Sequence, residues 1–233
     1  MQIGLLGKAN VGKSTFFSAA TETIVPSGNF PFTTIQPNVG VTHVKVDCAC
    51  KNLENRCGNN LCVNGTRFIA VKLIDVAGLV PGANEGKGLG NQFLTDAMQA
   101  DALIHVVDIS GSTDIQGQPV NVGTHDPLED IKFVEEEFDL WFKQILDREW
   151  HKLTKEIEQK RTRISEGLAR RFTGLGIKES NIDKILTSMS LKAKKPIEWS
   201  ETEIMEFLKS LRKLSKPTII AANKADLCDD LSI

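Results

Sequence analysis

The sequence predicts an α/β protein in which a doubly wound, mostly parallel sheet carries an inserted α-helical hairpin. Three observations predict it. Apolar runs beginning at Met1 and spanning Phe68–Ile74, Leu103–Ile109 and Pro217–Ala222 read as strands, the third near-continuous, as expected of a central strand covered on both faces. Gly7-Lys8-Ala9-Asn10-Val11-Gly12-Lys13-Ser14 follows the first run directly and precedes a helical pattern, the context that a phosphate loop requires. From Leu128 onward apolar residues recur instead at about 3.5-residue spacing, with charges between them.

Length and charge set the outer limits. The chain's 233 residues suffice for one sizeable core and one smaller appended unit. A formal charge of −2 predicts no general attraction to nucleic acid and no sequence-specific DNA binding, so any RNA contact would come from a local patch. No stretch reaches the length of a membrane span and the first strand starts at Met1, so no membrane partner and a cytoplasmic location are expected. Asn64-Gly65-Thr66 reads as a hairpin turn rather than a glycan acceptor.

In chain order, the phosphate loop comes first. Its glycines let backbone N–H groups from Lys8, Ala9, Asn10, Val11 and Gly12 through Lys13, Ser14 and Thr15 surround an anion, and the dipole of the helix starting near Lys13 adds to the same hollow. Lys13 would bridge the β- and γ-phosphates of a nucleotide, and the Ser14 hydroxyl would ligate Mg2+. Pro26, Gly28 and Pro31 then end the helix, and Phe32-Thr33-Thr34-Ile35-Gln36-Pro37 reads as an extended loop. A threonine there, Thr34 or else Thr33, would complete the magnesium shell only while a γ-phosphate is present.

Val39–Val46 alternates as a strand, and the run to Ile74 ends in Asp75-Val76-Ala77-Gly78. An acid at the carboxyl end of a buried strand, followed by glycine, suits a second magnesium position through water, with the Gly78 N–H meeting the γ-phosphate. Gly82, Gly86, Gly88 and Gly90 follow in a loop that suits a ligand-ordered segment. Residue 79 is leucine, which has no group able to hold an attacking water, so slow intrinsic turnover is expected. Asn10 would either coordinate K+ beside the phosphates or simply suit a tight turn.

Between the two strands, Cys48, Cys50, Cys57 and Cys62 lie in an asparagine- and glycine-rich segment with spacing C-x-C-x6-C-x4-C. Zn2+, two disulfides or free thiols are all open at this point, because the spacing is not that of a standard zinc ribbon. His105, inside the central apolar run, reads as a core residue rather than a catalyst.

The insertion begins at Leu128. No proline interrupts Leu128–Phe172, so about 65 Å of amphipathic helix is expected, and Ser200 with Glu203 forms a capping box that starts a second helix ending before Pro217. The two would pack as a projecting, coiled-coil-like hairpin. Lys152, Lys155, Lys160, Arg161, Arg163, Arg170 and Arg171 crowd its far end, either for RNA or an acidic partner or as a solvated face interleaved with Glu156, Glu158 and Glu166. The last strand closes in Asn223-Lys224-Ala225-Asp226, where the Asp226 carboxylate would accept both N1–H and N2–H2 of guanine; adenine offers no such donor pair.

These motifs, in this order, resemble those of translation-factor-class GTPases, with a Ras-like P-loop NTPase fold. The run from Asp75-Val76-Ala77-Gly78-Leu79-Val80-Pro81-Gly82 to Gly90-Asn91-Gln92-Phe93-Leu94, with Pro31-Phe32-Thr33-Thr34, narrows the resemblance to the Obg/YchF family, YchF-like branch. That implies GTP or GDP as ligand, Mg2+ as cofactor, slow GTP hydrolysis and association with the ribosome or ribosomal RNA. Lys13, Asn10 and Gly78 are the catalytic candidates, while Asn223, Lys224 and Asp226 would hold the base. The family's bacterial and eukaryotic members carry Asn-x-x-Glu and prefer ATP, so Asp226 is a departure, and the cysteine hairpin resembles archaeal relatives. The expected organisation is a G domain from 1–126 and 217–233, incomplete at its C-terminus and without the family's TGS domain, a cysteine hairpin at 47–66 and a helical insertion at 127–216.

Overall fold

A computed structural model describes residues 1–23, 37–53, 57–79, 81–82, 90–159 and 161–228. β1 (Gln2–Leu6), β2 (Asn38–Asp47), β3 (Cys62–Val63), β4 (Thr66–Asp75), β5 (Ala102–Asp108) and β6 (Thr218–Asn223) form one sheet in the order β2-β4-β1-β5-β6, with β3 also pairing β4. β1 lies parallel to β4 and β5, and β5 parallel to β6, whereas β2 and β3 run antiparallel to β4. The mostly parallel α/β architecture is therefore present. Register aligns the functional ends: Leu5 pairs with both Asp75 and Ile104, and Asp108 with Asn223. The phosphate loop, Asp75 and Asn223 thus emerge along one carboxyl edge, where open α/β sheets take their ligands.

Helices cover both faces. α1 (Lys13–Thr21) packs Phe17 on Leu5 and Leu73 on one side of the sheet. On the other side α2 (Gly90–Met98) and α3 (Pro127–Asp147) join Leu6, Ile74 and Leu103 in a core that runs on without interruption into the helical insertion. α3 starts where its residues dictate, with Pro127 in the first turn and Asp126 accepting a hydrogen bond from the Leu128 N–H.

The long helix and projecting hairpin are corrected by the structure. α3 stops at Asp147, and α4 (Trp150–Glu158), α5 (Ile164–Phe172), α6 (Glu179–Ser188) and α7 (Glu201–Ser215) fold back into a bundle. A single 45-residue helix with one partner would leave much of its stripe wet; folding back buries Leu153, Leu168, Phe172 and Ile182 almost completely. Gly167 permits the α4–α5 crossing, since a Cβ there would lie 2.5 Å from Leu153 Cδ1. α7 does begin at the expected capping box, with Ser200 Oγ accepting from the Glu203 N–H and the Glu203 carboxylate accepting from the Ser200 N–H.

The basic residues of this region are partly neutralised from within. Arg171 is buried beside Glu149 and Glu156, Arg170 pairs with Glu166 and Arg163 with Glu179; Lys160 lies outside the described residues. At the cysteine hairpin, Asn64 (φ 50°) and Gly65 (φ 79°) make the tight turn between β3 and β4 that the Asn-Gly pair anticipates. No helix among the described residues is long and apolar enough to cross a membrane.

Candidate functional site

The phosphate loop sits between the end of β1 and the start of α1, with Gly12 at φ 93°. That left-handed backbone favours glycine, and the space beside it is taken, because a Cβ would come within 2.3 Å of Asn223 Nδ2. Asn223 Nδ2 itself donates to the Val11 carbonyl at 2.7 Å. The Asn-Lys-x-Asp turn is therefore pinned to the phosphate loop, 212 residues away in sequence. Asp226 follows, exposed, on the single helical turn Ala225–Leu227.

Lys13 is buried and its ammonium donates to the Lys8 carbonyl at 2.7 Å. Burial lowers its pKa to about 8, against the opposing pull of Asp75. Asp75, also buried, accepts from the Ser14 hydroxyl at 2.7 Å through Oδ2, while its Oδ1 has no hydrogen-bond partner among the described residues. Burial raises the Asp75 pKa, opposed by Ser14, Lys13 and Asn38. A buried carboxylate with one oxygen unpaired, beside a serine hydroxyl, offers oxygen donors of the kind a hard divalent cation takes. Those residues fit Mg2+.

Gly78 closes over the loop. A side chain at that position would meet the Ala9 backbone at 2.9 Å and Lys13 Nζ at 3.2 Å, and the next N–H, of Leu79, donates to the Gly7 carbonyl at 3.0 Å. Leu79 is fully buried, so the packing role of this residue is present and no water-orienting group stands here. Asn10 adopts φ 61° and its Nδ2 donates to the Gly117 carbonyl at 2.8 Å, the geometry of the tight-turn alternative. Thr33 and Thr34 lie outside the described residues, as do Gly86 and Gly88.

Sequence reasoning missed the segment that braces the loop from outside. Asp108, at the end of β5, accepts from Lys224 Nζ at 2.7 Å and from the hydroxyls of Ser110, Ser112 and Thr113. Burial alone would raise its pKa, but Lys224 and the three hydroxyls outweigh that and hold it at about 2. Lys224 therefore acts as a strut under the Asn-Lys-x-Asp turn. The signal was visible: an acid ending an apolar strand, followed by Ser-Gly-Ser-Thr, is the composition of a side-chain-capped turn.

Lys8 is the second omission. Its carbonyl accepts from the Lys13 ammonium, yet its side chain is fully buried, 2.8 Å from both carboxylate oxygens of Asp130 on α3 and bonded to the Thr113 carbonyl. His125 Nε2 reaches the same carboxylate at 2.6 Å. His105 is a core residue, as expected, although its Nε2 has no partner among the described residues.

A phosphate loop, an acid at the end of a neighbouring strand and an Asn-Lys-x-Asp turn, gathered at one sheet edge, define a P-loop nucleotide-binding protein. Comparison with known proteins makes the class specific. Residues 2–162 match the family model of the 50S ribosome-binding GTPases, and the chain belongs to that family, with YchF- and Obg-like relatives. It is 49% identical over 226 residues to a GTP-binding protein of Methanocaldococcus jannaschii, covering 96% of this chain and 56% of that one. The ribosome-binding ATPase YchF of Bacillus subtilis is 33% identical over 227 residues, again covering 96% and 56%. The crystal structure of a GTP-binding protein from Pyrococcus horikoshii superposes with a TM-score of 0.79 at 38% identity, covering 99% of this chain and 58% of that one. The chain thus spans a little over half the length of the relatives it matches.

Proposed function

We propose that this chain binds GTP with Mg2+, hydrolyses it slowly and changes conformation with the presence of the γ-phosphate, acting at the ribosome. The observation that carries the reading is the Asn223–Val11 hydrogen bond, which couples the base-reading turn directly to the phosphate loop. One nucleotide spans both. The backbone of the loop would receive the phosphates, and Ser14, with Asp75 through water, would hold a magnesium ion, which when bound would supply charge neutralisation to the phosphates.

On this reading Lys13 leaves the Lys8 carbonyl for the phosphates, and Asp226, exposed beside the pinned Asn223, accepts the two guanine donors. Slow turnover follows from Leu79, which is packed in the core and offers nothing to hold an attacking water. The Gly82 N–H donates to Glu137 on α3 at 2.8 Å, giving a γ-phosphate-dependent loop a route to the helical insertion. Ribosome association is supported by the description of the family and by the name of the B. subtilis relative.

The competing reading is an ATPase, which the B. subtilis relative's name favours. Competition titration separates the two. Hydrogen bonds to a charged group contribute roughly 1.5–3 kcal/mol each, so losing both in Asp226→Ala should weaken GTP on the order of a hundredfold and leave ATP nearly unchanged. Equal affinity of the parent chain for GTP and ATP would reject guanine selection. Turnover in K+ against Na+, with Asn10→Ala alongside, tests the cation; equal rates in both salts leave Asn10 as a turn residue and direct the search to a group supplied by a partner.

A further inference from the structure

The four cysteines of the β-hairpin converge, although their spacing is irregular. Cys48 precedes the single helical turn Ala49–Asn52, Cys50 lies within it, Cys57 comes nine residues after Cys48, and Cys62 opens β3. Their Sγ atoms all lie within 4.8 Å of one another, with Cys48–Cys57 and Cys50–Cys62 each at 3.5 Å. Four thiolates around one ion at about 2.3 Å in a tetrahedron stand about 3.8 Å apart, so these separations are those of a ligand set and are too long for S–S bonds. We infer that Cys48, Cys50, Cys57 and Cys62 bind one Zn2+ in a closed, structural site.

The surroundings argue for the same centre. Leu53, Leu61 and Val63 at the hairpin tip are 65%, 47% and 55% exposed, so apolar burial does not hold the tip together, while Cys48 and Cys50 are buried at its middle. A staple is needed there, and four sulfurs occupy the place of a core. Zn2+ with four thiolates carries a net charge of −2. Lys51 lies in the turn that bears Cys50, where its ammonium pairs with Asp47 at 3.0 Å, and Arg67 is the cross-strand partner of Cys62. Four protein ligands leave no open position, which makes the site structural rather than catalytic.

The hairpin also sets how far the metal's influence reaches. β2 and β4 pair from Asp47 with Thr66 beside the cysteines to Asn38 with Asp75 beside the phosphate loop, a separation of about 30 Å along the ribbon. Zinc loss should therefore loosen the tip and spare the nucleotide site.

The experiment begins with elemental analysis of the full chain as purified, which should find about one zinc per chain. Cobalt exchanged for it should give the intense visible absorption of a tetrahedral thiolate site. Stripping the metal with a chelator should accelerate hydrogen exchange across residues 48–65 and change nucleotide affinity less than about twofold. Cys57→Ser, at the most exposed ligand, should lower zinc content; should that variant not fold, the metal content and thiol count of the parent decide alone. Iron in place of zinc, two disulfides, or a metal-free chain with four freely reactive thiols that takes up no zinc would overturn the assignment. Loss of nucleotide binding on chelation would overturn the restriction to the hairpin tip.

Discussion

His105 carries a charge penalty that a pH titration can read. It is 2% exposed, and burial lowers its pKa to about 4, with Lys13 acting in the same direction and Asp130 and Glu135 against it. The unfolded chain regains the ordinary value near 6.5, so between pH 6.5 and 4 the unfolded state binds the extra proton. The associated stability is complete above about pH 6.5 and falls as pH drops toward 4, by about 3 kcal/mol at most. Denaturant unfolding at pH 7 and pH 4.5 should show the loss, and His105→Leu should flatten it. An unchanged slope in that variant would assign the acid sensitivity to other groups. Lys13 gives the opposite kind of test: with a ligand-free pKa near 8, it should take up a proton when polyphosphate binds at pH 8–9. Calorimetry of GTP binding in buffers of different ionisation enthalpy would detect that uptake, and Lys13→Met should abolish it. The placement of Lys13, Ser14 and Asp75 was legible because each belongs to a motif whose spacing encodes its role within a few residues. The Lys8–Asp130 pair was not, since its members are 122 residues apart and neither follows a local pattern.

At the scale of elements, the helical insertion was legible in extent and illegible in shape. Apolar spacing continues across 148–149 and 159–163 without a proline, and periodicity alone does not distinguish one long helix from several folded on one another. Gly167 was the available signal, a glycine in a helix interior where another helix crosses closely. The capping box at Ser200 was read correctly because capping is local. Within the insertion, α3 bonds to the phosphate loop and to the segment after Asp75, through Asp130 to Lys8 and Glu137 to Gly82. Removing one partner of a fully buried ion pair strands the other charge, at a cost of about 3–5 kcal/mol. Lys8→Met should therefore destabilise the chain by about that amount, and adding Asp130→Asn should recover part of it. A Lys8→Met variant within about 0.5 kcal/mol of the parent in chemical denaturation would mean that Asp130 is satisfied by His125 and water alone.

Across the whole molecule, one apolar core joins the sheet to the insertion: Leu6, Ile74 and Leu103 from the strands share it with Phe142, Leu153, Phe172, Trp199 and Phe207. Two units that merely touched would unfold separately; a shared core makes their unfolding a single event. The three tryptophans make this measurable, because Trp141, Trp150 and Trp199 all lie in the insertion and none in the sheet. Trp150 and Trp199 pack at 5.7 Å between ring centres with their planes tilted by 48°, and Trp199 continues to Phe207, so their fluorescence reports the packing of that bundle. Thermal unfolding followed by tryptophan emission should coincide with unfolding followed by far-ultraviolet circular dichroism. Nucleotide should then shift both together. A ligand at a hundred times its dissociation constant stabilises by about 2.7 kcal/mol, which for a chain of this size raises Tm by about 5–10 °C. The insertion contains none of the proposed nucleotide contacts, so a shift in its tryptophan transition reports coupling through contacts such as the shared core, Lys8–Asp130 and Gly82–Glu137. A tryptophan transition that stays put while the circular dichroism transition moves would show that the sheet and the insertion fold independently, and would remove the physical basis for transmitting a nucleotide state from the phosphate loop to the helices.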